Sequence, residues 1–370
     1  MDPTQVFCPN LECPARGQRG KGNIGIHSRK GQRFLCRHCG KTFAATKGTV
    51  WYHRRTAGEV VRTVLTLLAH GCPIQAIVAA YGFDERTVAS WLARAGCHSH
   101  AVHEQLVEQP RALGQVQADE LRGKRQGAIV WMAMAMMVRT RLWLGGVVSE
   151  RRDLPLIRAL LRRVRRCALP RAILFCTDGL CSYGRAIRET FRDPVYTGQP
   201  GRPRWQAWND ILIAQVIKRY EKRRVVEVTR RIVQGSRARV AAVRRRSQGG
   251  AVINTAYIER LNATFRERWA PLVRRGRALA RQTRTLEQGM YLIGTVYNFC
   301  TPHASLRSAA RGQAAAASGC TPAMAAGITD HCWTVQELLS FHVPPPRWAP
   351  PKRRGRPSQA FQHTIERWCS

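Results

Sequence analysis

A short apolar run that ends on a carboxylate constrains the fold more than any other stretch of this chain. Residues 171–180 read Arg-Ala-Ile-Leu-Phe-Cys-Thr-Asp-Gly-Leu, and Pro170 and Gly179 bracket the apolar part. Consecutive apolar residues between turn signals predict a short buried strand. Asp178 stands where that strand runs out, and Gly179 lets the backbone turn. A carboxylate at the tip of a buried strand needs partners. Taken alone, Asp178 could simply cap a turn. Its meaning depends on whether other carboxylates converge on it.

Two candidates do. Upstream, Gln115-Val-Gln-Ala-Asp-Glu-Leu alternates polar with apolar residues, as a half-buried strand does, and delivers Asp119 and Glu120. Glu120 is a rival to Asp119; if Asp119 points into the site, period-2 alternation sends Glu120 to the other face. Residues 127–138 and 141–148 are apolar, strand-length and separated by Arg139-Thr140, which predicts a hairpin continuing the sheet. A helix is expected over 154–167. Downstream, residues 254–268 carry apolar side chains at 257, 258, 261 and 265, a helical stripe. Glu259 lies beside that stripe, so its carboxylate could face the sheet.

A meander of three strands, a helix, a fourth strand and a later helix, with acidic residues on the first strand, the fourth strand and the last helix, resembles the ribonuclease-H-like fold of DDE transposases and integrases. Gln-Ala-Asp-Glu-Leu, Thr-Asp-Gly and Ile-Glu-Arg-Leu-Asn look like the three signatures of bacterial insertion-sequence transposases with an N-terminal zinc ribbon. The resemblance covers most of the chain. It implies a two-metal-ion polynucleotidyl transferase that cleaves and joins DNA strands at the terminal inverted repeats of its element. It implies Mg2+ (or Mn2+) at Asp119, Asp178 and Glu259, with Asp119 bridging both ions and each of the others holding one. Two divalent ions about 3.5–4 Å apart can activate the attacking oxygen and relieve charge at the phosphate. Magnesium suits the role because it takes oxygen ligands and keeps open positions for substrate phosphate. The implied partners are double-stranded DNA, both transposon ends and target, and further copies of the chain in a homodimer or higher oligomer on DNA. The resemblance continues in Tyr297-Asn…Pro302-His303…Leu306 and in Thr321-Pro-Ala-Met-Ala. It departs at Thr301, where an arginine is usual. His303 could assist at the site or play a structural part.

Thirteen cysteines include one metal-like set: Cys8-x4-Cys13 and Cys36-x2-Cys39, with Gly40 behind the second pair. This spacing predicts a structural Zn2+ site in a ribbon over residues 1–52, with Phe7, Phe34 and Phe43 as its small core. His38 is an alternative ligand. Unligated thiols would leave so short and polar a segment without a staple.

Lys and Arg total 61 against 23 Asp and Glu, a net charge of +38. Such an excess calls for a polyanion, and DNA is the obvious one. No apolar run reaches the roughly 18 residues of a membrane span. The opening Met1-Asp-Pro-Thr lacks a secretory pattern, so a cytoplasmic, nucleoid-associated protein with no membrane partner is expected.

The charge has places to act. Residues 55–100 read as three helices that resemble a helix-turn-helix, with Arg86, Thr87, Ser90 and Arg94 on the exposed face of the third, which should end near residue 95. A catalytic core is expected over 113–308, interrupted by a basic insertion at about 198–250 that contains a strand at 225–229. Arg202, Arg204, Arg244, Arg245 and Arg246 are its candidate DNA contacts. Between 217 and 250 twelve Lys and Arg face only Glu221 and Glu227, and a run this one-sided calls for an anion. Residues 309–343 should be a C-terminal helical segment with an Ala-rich spacer. The Pro-rich basic tail, 344–370, is expected to be disordered, and Arg354-Gly-Arg356-Pro resembles an AT-hook core for the minor groove.

The expected fold is therefore multidomain: a small zinc ribbon, an all-α helix-turn-helix, an α/β ribonuclease-H-like core with a basic insertion, and a disordered tail. A catalytically inactive or domesticated DNA-binding regulator derived from a transposase is the alternative to an active enzyme. A junction-resolving nuclease fits the carboxylates but not the ribbon and helices.

Overall fold

A computed structural model describes residues 1–196, 198, 201–222, 224–273, 276, 278–306, 319–351 and 358–369. The chain divides into two units, Met1–Gly58 with Leu339–Ser370, and Glu59–Leu338.

The first unit is built on a three-stranded antiparallel sheet, β1 (Ile24–Ser28), β2 (Arg33–Cys36) and β3 (Thr42–Ala44), in the order β1-β2-β3. The rings of Phe34 and Phe43 meet at 5.8 Å. Around them Phe7, Ile24, Cys8, Cys13 and Cys36 are buried.

The tail departs from expectation. Beyond Pro344–Pro346 and residues 352–357, which carry Arg354 and Arg356 and lie outside the described residues, a helix spans Gln359–Cys369. Its Trp368 is 1% exposed and belongs to the ribbon core. The Trp368 carbonyl accepts from Gln18 Nε2 at 2.8 Å. The proline segment is also held, since Arg16 Nε donates to the Pro346 carbonyl at 2.7 Å. Gly17 permits that approach: with φ +70°, a Cβ there would meet the Pro345 carbonyl at 2.7 Å. Among the described residues, the tail is thus not a disordered appendage. A ribbon this small cannot enclose a core by itself, and Trp368 supplies a lid that a reading dominated by proline and arginine overlooks.

The second unit opens with α1 (Gly58–Ala69), α2 (Ile74–Tyr81) and α3 (Glu85–Leu106). Gly82, at φ +69°, ends α2 through its N–H to Val78, and Asp84 caps α3 by accepting from Arg86 N at 2.8 Å. The third helix does not stop near 95. Gly96 is a packing glycine and not a terminator, for a Cβ there would lie 2.5 Å from the carbonyl of Gln288 on a later helix.

There follow β4 (Gln115–Arg125), β5 (Ala128–Met137), β6 (Leu142–Ser149), α4 (Leu154–Arg166), β7 (Ile173–Asp178), α5 (Cys181–Thr190), the ribbon β8 (Arg192–Val195) with β9 (Arg204–Ala207), β10 (Ile211–Glu221), β11 (Arg224–Gln234), α6 (Arg237–Arg246), α7 (Ala256–Arg268) and α8 (Thr283–Thr295). The main sheet has the order β11-β10-β7-β4-β5-β6. β4, β5 and β6 form the expected antiparallel meander, and β7 runs parallel to both β4 and β10. Alternation along β7 serves both faces. Ile173 and Phe175 pack with Leu160, Tyr183 and Ile187 of α4 and α5, whereas Leu174 and Cys176 pack with Val240 and Val243 of α6.

The segment read as an insertion holds a strand of this sheet. Ile211–Ala214 are buried beside β7 in parallel register. Continuous apolar runs mark strands covered on both faces, and the basic flanks obscured this one. Only the outer part of the β10–β11 hairpin is an exposed basic ribbon, with 225–229 inside β11.

Replacing Trp368 by Ala should lower the unfolding free energy of the ribbon unit by about 3–5 kcal/mol. Amide hydrogen exchange of residues 24–44 measures it, and unchanged protection would mean that the terminal helix is no part of that core.

Candidate metal centres

The first centre is the thiol cluster. Sγ atoms of Cys8, Cys13, Cys36 and Cys39 lie within 4.8 Å of one another, with Cys8–Cys39 at 3.7 Å and Cys13–Cys36 at 4.0 Å. A tetrahedral Zn2+ with bonds of about 2.3 Å needs sulfur–sulfur separations of about 3.8 Å. The donor set therefore fits a structural zinc. Asn23 Nδ2 donates to Cys36 Sγ at 3.5 Å, a supporting bond of the kind that orients ligands. His38 packs edge-on against Trp368 at 5.2 Å and is not in the cluster. Burial pushes the Cys8 thiol up to about 12 and raises Cys13 as well. Cys39 goes the other way, to about 7: burial raises it, but the Lys41 backbone N–H and side-chain bonds outweigh that.

The second centre is acidic. Parallel pairing sets Ala118 opposite Thr177, so the next residues, Asp119 and Asp178, leave neighbouring strands at one level. Carboxylate oxygens of Asp119, Glu120 and Asp178 lie within 4.8 Å of one another and could hold a metal ion. Glu259, in the first turn of α7, is outside that tight group but lines the same cleft, of about 530 Å³, as Asp119 and Asp178.

Asp119 and Glu120 take different partners, but strand alternation does not part their carboxylates, whose oxygens come within 4.8 Å of each other. Asp119 Oδ2 accepts from Asn262 Nδ2 on α7 at 2.8 Å. Glu120 is buried against α5, bonded to Tyr183 Oη and to Arg152 Nε at 2.9 Å. Arg152 also reaches Asp178 Oδ2 at 2.9 Å, and its guanidinium lies 5.1 Å from the Trp131 ring centroid. Lys218 of β10 pairs with Glu259 Oε1 at 2.5 Å, and Thr255 Oγ1 donates to the same oxygen at 2.6 Å. Burial is the main cause that lifts the Asp119 carboxyl to about 7, with the charges of Glu120, Asp178 and Glu259 adding to it. Burial also raises Glu120, against the opposing bond from Tyr183.

Sequence reading missed four residues here. Gln117 Oε1 accepts from Tyr257 N and Ile258 N, both at 3.0 Å, and its Nε2 donates to the Asn254 carbonyl at 2.7 Å. It thereby satisfies free N–H groups at the start of α7 and fixes that helix to β4. Its signal was available: two residues before Asp119 is the same strand face. Asn262, three residues after Glu259, shares its helix face. Arg152 and Lys218 carry no local signal.

The other expected contacts are dispersed. Arg86, Ser90 and Arg94 lie on the exposed side of α3, with Thr87 half-buried. Arg202 and Arg204 are exposed at the β8–β9 ribbon, Arg245 and Arg246 are exposed at the end of α6, and Arg244 is half-buried. His303 does not line the acidic cleft; its ring meets Tyr297 edge-on at 4.7 Å, and burial lowers it to about 4. Thr301 Oγ1 accepts from Arg268 Nη1 at 3.0 Å, so a guanidinium is present where the sequence lacks one.

No protein-family model matches the chain, and no curated protein matches it. Among the described residues no helix is long and apolar enough to cross a membrane.

Elemental analysis should find about one zinc per chain, and Cys36→Ser should abolish it while the six-stranded sheet keeps its circular-dichroism signal. The acidic cleft gives a pH dependence. Asp119 titrates near 7 when folded and near the ordinary 3.8 when unfolded, so the unfolded chain releases its proton first. Without divalent ions, stability should fall as pH rises from about 4 to about 7 and then level off. Asp119→Asn should flatten that fall in thermal melts, and an equal slope in the variant would refute the assignment.

Proposed function

We propose that this protein is a DDE-type transposase that binds the ends of its own DNA element and catalyses metal-dependent strand cleavage and strand transfer. The observation that carries the reading is the convergence of Asp119, Asp178 and Glu259 from β4, β7 and α7 on one open cleft whose walls include Arg152, Lys218 and Arg266. Carboxylates attract cations and the basic walls attract a phosphodiester, and few ligands other than a metal-bound phosphate need both. The sheet order, a meander beside two further parallel strands, supports a ribonuclease-H-like core.

Bound Mg2+ or Mn2+ would supply charge relief at the phosphate and activation of the attacking oxygen. Asp119, Asp178 and Glu259 would hold the ions. Asn262 orients the Asp119 carboxylate, and Gln117 fixes the helix that carries Glu259. Arg152 and Lys218, paired with the carboxylates in the absence of ions, would be released toward the phosphate oxygens. The zinc ribbon, the exposed arginines of α3 and the charge of +38 suit duplex DNA as partner. Oligomerisation on DNA and a place at the nucleoid belong to the same reading.

One observation favours the regulator alternative. Arg152 and Lys218 already pair with Asp178, Glu120 and Glu259, so part of the acidic charge is balanced without metal. Nicking of a duplex carrying the element's end decides between the two. Asp178→Asn should reduce cleavage by several orders of magnitude while end binding stays within a few-fold. Asp119→Asn and Glu259→Gln should behave alike, and Glu120→Gln, turned toward Tyr183, should retain cleavage. A variant Asp178→Asn that nicks at near wild-type rate would hand the case to the regulator.

A further inference from the structure

A second cleft adjoins the acidic one with the opposite sign. Arg230, Arg231, Arg237 and Arg244 line a space of about 560 Å³ between β11 and α6, and no carboxylate lines it. Guanidinium groups stay charged at all ordinary pH. Four of them around one cleft repel unless an anion sits among them. Their present acceptors are neutral. Arg231 donates to Gln215 Oε1 at 3.0 and 2.7 Å, and Arg230 Nε donates to the Ile253 carbonyl at 3.0 Å. These bonds orient the side chains without balancing charge. Helix α6 carries no acidic residue, and the acid it meets, Asp210, pairs with Arg239. Arg244 Nε is buried with no acceptor at all, and a buried donor left unpaired is costly. Arg237 also opens the ten-residue helix α6, whose free N–H groups add partial positive charge.

The strand register places this cleft. Arg230 pairs with Val216 across β10 and β11, and Val216 lines the acidic cleft. Cross-strand partners project on one face of a sheet, so the two clefts are neighbours on that face.

We propose that the arginine cleft is a phosphate-binding subsite that seats the DNA backbone flanking the phosphodiester held by the carboxylates; the identity of the ligand as DNA rests on the function proposed above. Guanidinium forks match phosphate oxygens in pairs. A strand leaving the acidic cleft crosses β10 at Val216 and enters among the four arginines. The inference also divides the arginine run at the end of α6. Arg244 lines the subsite, whereas Arg245 and Arg246 do not.

The test uses the full-length, zinc-loaded protein in buffer without free divalent ions. Inorganic phosphate, against chloride at equal ionic strength, should raise the melting temperature of the wild type and of the Arg245→Gln/Arg246→Gln control. It should not raise that of Arg237→Gln/Arg244→Gln. The exposed-side substitution Arg237→Gln alone should halve the shift, which keeps the test sharp if loss of Arg244 unfolds the helix. In salt titrations with an arbitrary-sequence duplex, Arg237→Gln/Arg244→Gln should flatten the log–log slope by about 1–2. No phosphate shift in the wild type, or an equal shift in Arg237→Gln, overturns the subsite. A phosphate shift with an unchanged duplex slope overturns DNA as its ligand and leaves a free phosphate. Asp178→Asn should keep both responses, so failure of the nicking assay and failure of this subsite are separate outcomes.

Discussion

The parallel pairing of β4 with β7 is the constraint on which the second unit depends. It fixes Asp119 and Asp178 on adjacent strands at one level, because each follows a residue of the pair Ala118 and Thr177. No loop conformation is involved. The same strand then recruits the third carboxylate, for Gln117 binds the opening N–H groups of α7 and so sets Glu259 over the cleft. Side chains held by strands and a capped helix keep their geometry better than side chains on loops. The sheet is thus the site's scaffold: Glu120 bonds to Tyr183 of α5 and Asp119 to Asn262 of α7, while their carboxylate oxygens stay within 4.8 Å of each other.

That placement costs electrostatic energy. Burial and three neighbouring carboxylates disfavour a charged Asp119, and the protein offers a proton or a cation as relief. Arg152 and Lys218 supply part of it, each on a different carboxylate. The arginine cleft next door has the reverse imbalance. A phosphodiester strand carrying divalent cations is a single partner able to correct both at once, metal to the carboxylates and phosphate to the guanidinium groups. Either imbalance alone could be met by an ion from solvent; their adjacency across one strand pair is what supports the proposed DNA partner.

Much of this was legible in the sequence, and the misses have physical causes. Strands β4 to β7 and the helix of Glu259 announced themselves because burial imposes period-2 or helical spacing that short-range reading detects. The thiol set was legible because a metal site constrains spacing within a few residues. Strand β10 was not, since Ile211–Ala214 is brief and the basic residues after it dominate any local window. Gln117 and Asn262 sat inside motifs already in view but look like ordinary polar residues until the strand–helix contact exists. Arg152 and Lys218 reach their partners from 26 and 41 residues away, and no local pattern encodes such a meeting. Gly96 misled because a glycine can end a helix or let another helix approach, and only the packing decides which.

The ribbon unit poses a different problem of assembly. Its apolar core amounts to a few phenylalanine and isoleucine side chains around four thiols. Burial makes Cys8, raised to about 12, and Cys13 resist ionisation, whereas Cys39 is lowered to about 7. A divalent cation reverses the preference, because coordinated cysteines bind as thiolates. Metal uptake by this unit would therefore be coupled to proton release, with an affinity that weakens as pH falls. The apolar half of the core has a separate requirement that no ion can meet. Trp368, brought from the far end of the sequence, satisfies it. The unit consequently combines residues 1–58 with residues from 339 onward, Trp368 among them.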